Sequence, residues 1–75
     1  MEYPWQIADD DTERGLPPGS YPVLICYGSL AGYFPDSAFW DGAKWSKRYV
    51  SHFMRRQCEN ETQAEQIAYE NDPTW

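Results

Sequence analysis

The stretch Ala38-Phe39-Trp40-Asp41-Gly42-Ala43-Lys44-Trp45 constrains the fold more than any other part of the chain. Asp-Gly is a strong signal for a two-residue hairpin, because both central residues of a type I′ turn take positive φ and this pair tolerates it. Counting outward from such a turn sets Trp40 opposite Ala43, Phe39 opposite Lys44, Ala38 opposite Trp45 and Asp36 opposite Lys47. One face then carries Ala38, Trp40, Ala43 and Trp45, a large residue beside a small one twice over, and is the expected core face.

The whole chain of 75 residues reads as a single domain, near the lower limit at which one apolar core suffices. Four Trp, six Tyr and three Phe supply the burial that so short a chain needs. A domain this small cannot hide every ring, so the aromatic excess points to partner binding. Cys26 and Cys58 are the only cysteines. With no signal-peptide pattern and no apolar run near the length of a membrane span, both are expected to be free thiols in a cytoplasmic protein that does not engage membranes.

Charge is sorted along the chain, and the net value of −6 opposes non-specific binding to nucleic acid or to anionic lipid. Acids dominate before Gly15, bases alone occur from Lys44 to Arg56, and acids alone from Glu59 to Asp72. The expected fold class is α+β, a small antiparallel sheet of three or four strands with one C-terminal helix. Residues 1–20 read as an irregular arm, 21–55 as the sheet and 60–72 as an acidic helix.

Within the arm, Asp9-Asp10-Asp11 lacks the spaced acids and glycine of a calcium loop and reads as a solvated turn. Leu16-Pro17-Pro18-Gly19 forbids helix and leads into a strand over Tyr21–Gly28. Its near-continuous apolarity predicts cover on both faces, with Tyr21, Val23, Ile25 and Tyr27 on one side and Leu24 and Cys26 on the other. Pro22 is expected near the strand's start or at an edge. Residues 29–35 read as a loop with two exposed rings or as a short strand, and Tyr33 and Phe34, between Gly32 and Pro35, as rings at a loop tip or folded over the sheet edge. A last strand over Tyr49–Met54 would place His52 beside Val50 and Met54, with Phe53 and Tyr49 opposite. Asn60 and Gln63 then form a capping-box-like start to a helix from Glu61 to about Asn71, whose apolar stripe is only Ala64, Ile67 and Ala68. Alone such a helix is marginal, so it must dock on the sheet or be ordered by a partner, with Trp75 as a candidate anchor.

Catalytic and cofactor signatures are missing. One His and two Cys occur without C-x-x-C or paired zinc spacing, and no Gly-rich loop opens a helix. The chain is read as non-enzymatic, with no metal and no cofactor. Lys44, Lys47, Arg48, Arg55 and Arg56, interleaved with Trp45, Tyr49 and Phe53, form the combination that single-stranded nucleic-acid surfaces use. The acidic tail that follows competes for the same bases, and an internal match of tail and sheet is the simpler expectation.

The order of motifs resembles the small phage and prophage family called domain of unknown function 551. The residues that carry the resemblance are Trp5, Leu16-Pro17, Val23-Leu24-Ile25, Ala38-Phe39-Trp40 with Gly42 and Trp45, and Val50-Ser51-His52-Phe53-Met54, covering about residues 5–54. Arg55-Arg56-Gln57-Cys58 departs from that family's proline-rich close, and the acidic helix is an addition. The resemblance implies a small β-rich domain in a phage or mobile-element setting and transfers no catalytic residue. Together with the acidity it sets the expectation of a phage protein that binds and inhibits a host nucleic-acid-handling protein with a basic groove, such as a CRISPR effector, a restriction factor or RNA polymerase. Asp9, Asp10, Asp11, Glu59, Glu61, Glu65, Glu70 and Asp72 would carry the charge, with Tyr33, Phe34 and Trp75 as aromatic anchors. The alternatives are a single-stranded nucleic-acid module using residues 44–56 and a self-associating regulatory protein.

Overall fold

The computed structural model describes residues 4–28 and 32–72. Its elements in chain order are β1 (Gln6–Ile7), α1 (Asp10–Glu13), β2 (Gly19–Cys26), β3 (Tyr33–Trp40), β4 (Val50–Phe53) and α2 (Glu61–Glu70). The four strands form one antiparallel sheet in the order β1-β4-β2-β3. The α+β architecture is as expected. The first twenty residues, read as irregular, instead supply an edge strand and a one-turn helix.

β2 is buried on both sides, as its apolar run requires. Tyr21, Val23 and Ile25 pack with Leu16, Ala38, Trp40 and Phe53 in one layer, while Leu24 packs with Trp5, Met54, Ile67 and Ala68 in the other. Pro22 sits in this central strand, away from any edge. Its carbonyl accepts the Met54 amide. The ring nitrogen therefore faces the point where β4 has ended, and no ladder partner is lost.

Helix α2 closes the second layer. Asn60 caps it by accepting the Gln63 amide at 2.8 Å, and the Gln63 side chain in turn accepts from the Glu59 amide at 2.8 Å. Ala64, Ile67 and Ala68 are the buried stripe. Small residues on this narrow face bring the helix backbone close to the sheet. The helix is docked.

Two expectations fail on local hydrogen bonding. The Asp41 carboxylate accepts the amides of Ala43 and Lys44, both at 2.8 Å, and only Gly42 takes positive φ in the turn. An Asx turn has displaced type I′ geometry. The loop is wider, Trp40 faces Trp45, and Ser46 donates to the Phe39 carbonyl at 2.8 Å. In β4, Leu24 faces His52 but Ile25 faces Val50, so Ser51 is an inserted residue and the alternation breaks there. His52 and Met54 keep the side foreseen for them, whereas Val50 joins Phe53 in the opposite layer.

Both outer edges of the sheet are closed by side chains. On β3 the outward backbone groups belong to the odd-numbered residues, since Phe39 bonds away from β2 to Ser46. Pro35 has no amide to offer, and the Ser37 amide donates to its neighbour Asp36 at 2.7 Å. On β1, only two residues long, the Ile7 carbonyl accepts the Thr12 hydroxyl. Neither edge presents a run of open ladder positions to another strand.

Candidate binding surfaces

The predicted acidic residues fall into two groups on opposite sides of the sheet. Asp9 caps α1 and receives the Thr12 amide at 2.9 Å, a bond that holds its carboxyl below the usual range. Asp11 pairs with Arg14 on the surface, and Glu13 accepts the Trp45 indole N–H at 2.8 Å. Asp10 lies in the same turn. These acids are the rim of the Leu16–Trp40–Trp45 layer, and most of their contacts are internal.

Glu61, Glu65 and Glu70 lie on α2 in the other layer. At about 100° per residue, Thr62, Gln66 and Tyr69 point away from the buried stripe, with Glu65 and Glu70 to either side. Thr62, Glu65, Gln66, Tyr69 and Glu70 line a shallow depression there, and Tyr69 is 58% exposed. Glu59 and Asp72 flank the helix. Trp75 lies outside the described residues. Among the described residues the α2 glutamates form no salt bridge with the basic segment.

That segment is dispersed too. Arg55 donates to the Thr12 carbonyl at 2.7 Å and to the Arg14 carbonyl at 3.4 Å, which ties the end of α1 to the chain beyond β4. Lys47 pairs with Asp36 at 2.9 Å. Lys44, Arg48 and Arg56 are exposed. Five bases adjacent in sequence thus have three different environments.

Tyr33 and Phe34 lie in β3 and not at a loop tip. Tyr33 meets the edge of His52 at 5.2 Å on the α2 side, whereas Phe34 projects to the opposite face. There it lies 5.9 Å from Tyr27, which lies 5.7 Å from Tyr49. These three rings, drawn from β3, the end of β2 and the entry to β4, are 46%, 65% and 60% exposed. Tyr49 is the only non-glycine residue with positive φ, at 65°, among those described. A bulky side chain there costs about 1–2 kcal/mol. Sequence reasoning missed this cluster because its members are far apart in the chain and only the pairing of β2 with β3 and β4 unites them.

No catalytic constellation is present among the described residues. Cys58 bridges to Ser20 and His52 faces Leu24, four positions along β2 and so about 13 Å apart. Burial pushes the Cys58 thiol up and His52 down. Cys26, at the far end of β2 from Ser20, is about 20 Å from Cys58, beyond any disulfide. Among the described residues no three His, Cys, Asp or Glu gather to hold a metal, and no helix is long and apolar enough to cross a membrane. No protein family matches the chain, and no curated protein or solved structure is detectably similar to it.

Proposed function

We propose that this is a non-enzymatic phage or mobile-element protein that docks on a host nucleic-acid-handling protein and inhibits it through helix α2. The observation that carries the reading is the outward face of α2, where Tyr69 stands between Glu65 and Glu70 and no base among the described residues pairs with these acids. Docking of Ala64, Ile67 and Ala68 fixes the backbone that carries this array of carboxylates. Such an array complements a basic groove built for phosphates, at a lower ordering cost than a free tail. The resemblance of residues 5–54 to domain of unknown function 551 supplies the phage setting. CRISPR effectors, restriction factors and RNA polymerase are the candidate targets.

The test is affinity capture from bacterial lysate at low and high salt, comparing the native chain with an E61K/E65K/E70K variant. The reading expects a nucleic-acid-handling enzyme that is recovered only by the native chain and only at low salt, and whose activity the native chain suppresses. Equal recovery by both chains would overturn it.

A further inference from the structure

No residue of α2 from Glu61 to Glu70 is basic. The last turn therefore offers the negative end of the helix dipole no cation from the helix itself. Tyr69 stands in that turn and is 58% exposed. Helical side chains lean toward the N-terminus, so its ring lies over the preceding turn, beside Glu65 and Gln66 at i−4 and i−3. On the far side of Gln66, its amide nitrogen donates to Glu70 Oε1 at 3.4 Å. The second Glu70 oxygen and the Gln66 carbonyl oxygen receive no hydrogen bond from the described residues. The depression that these side chains line with Thr62 has a mostly hydrocarbon wall, and every charge at its rim is negative. A ring face, an apolar wall and acceptors on both flanks thus meet in one place.

We propose that this depression seats one arginine side chain of the partner, with its guanidinium on Tyr69. The inference rests on the α2 reading for the partner and adds the group that the partner inserts. A guanidinium is flat and carries five N–H donors in its plane, so it can cover the ring while reaching Glu65 on one flank and Gln66 and Glu70 on the other. Its methylene stem covers the hydrocarbon wall. A lysine ammonium is a more strongly hydrated point charge and meets fewer of these acceptors at once. A divalent cation fits poorly, because among the described residues no three acids gather. A second copy of the chain is opposed by the net charge of −6 on each. Arginine is also the side chain by which phosphate-binding grooves grip their ligands, so a partner of that kind has it to offer.

The experiment is an NMR titration of the full chain with N-acetyl-arginine amide at constant ionic strength, beside the matching lysine and citrulline amides. Arginine should bind with a Kd on the order of 10 mM, with shifts gathered at residues 62, 65, 66, 69 and 70. Lysine should bind about threefold more weakly, and citrulline, which keeps the shape without the charge, should not saturate. Tyr69→Leu changes an exposed position and keeps a good helix former. It should weaken arginine binding about threefold and remove the preference over lysine. Capture from lysate separates the two readings. A nucleic-acid-handling enzyme that the native chain recovers and E61K/E65K/E70K does not, without any preference for arginine over lysine, overturns this inference and leaves the α2 reading standing. Arginine seated on Tyr69 with no such enzyme recovered does the reverse. Shifts centred on the α1 acids, binding indifferent to Tyr69→Leu, or a depression filled by a second copy, seen as concentration-dependent association that Tyr69→Leu disperses, would also overturn the proposal.

Discussion

One face of the sheet treats aromatic residues in two ways. At the Gly19 end, Trp40 and Trp45 lie 5.0 Å apart, and Trp45 also meets Tyr21 and Phe53. Each indole N–H has an acceptor, Trp40 on the Leu16 carbonyl and Trp45 on Glu13. At the Cys26 end, Tyr27, Phe34 and Tyr49 touch one another at similar distances yet stay in solvent. The ring chemistry is shared, so cover makes the difference: residues 8–16 and the Asp41 loop close over the first group, and no described segment closes over the second. Rings given acceptors and a lid build the fold, whereas rings left bare at the cost of a strained backbone are available for recognition.

The largest break in that comparison is truncation at either end. Trp40→Ala should cost about 3–5 kcal/mol and leave the chain largely unfolded, whereas Tyr27→Ala should cost less than about 1 kcal/mol, as read from urea denaturation. A wider break comes from P35V/D36A, which restores an amide to the β3 edge and frees that of Ser37. Light scattering should then show concentration-dependent association beside the bare rings that the native chain lacks. The strain at Tyr49 is isolated by comparing two truncations at the same site. Tyr49→Gly should be more stable than Tyr49→Ala by about 1 kcal/mol, because only glycine occupies φ of 65° freely. Equal stability would remove the strain from the argument.

The smallest effect is electrostatic. Burial holds the pKa of His52 below its ordinary value. As pH falls below about 6.5 the unfolded chain therefore takes up a proton before the native one, and stability declines from there downward. His52→Gln should flatten that part of a melting-temperature profile. A second decline, where Asp9 and Asp41 protonate and lose the amides that depress them, lies below about pH 4 and should persist in the variant.

Much of the scaffold was legible in the sequence because it rests on patterns with one solution. Val23-Leu24-Ile25 demanded cover on both faces, and Asn60 with Gln63 marked the start of α2. Alternation along β2 also sorted Leu24 from its neighbours. The misreadings arose where a side chain competed with the backbone. Asp41 bonds its own turn and widens the hairpin, and Ser51 inserts a residue that moves Val50 across the sheet. Pro35 and Asp36, poor strand formers, left a loop and a short strand both open for Tyr33 and Phe34, and β3 is the strand. The acidic face of α2 was visible as a charge run, but whether it docked depended on Trp5 and Met54, which no local pattern links to it. The ring cluster was invisible because it depends on register.

One bond unites the two extremes of the described chain: the Trp5 indole N–H reaches the Asn71 carbonyl at 2.9 Å, over a separation of 66 residues. The layer beneath α2 contains both Trp5 and Ile67. During synthesis, a ribosome must therefore deliver almost the whole described sequence before this layer can close, and Trp5 waits uncovered until it does. Such a domain folds after translation of its helix and not progressively. The same proximity allows the polypeptide to be rejoined head to tail and opened between β2 and β3, a circular permutant whose order of assembly would be reversed while its contacts stayed the same.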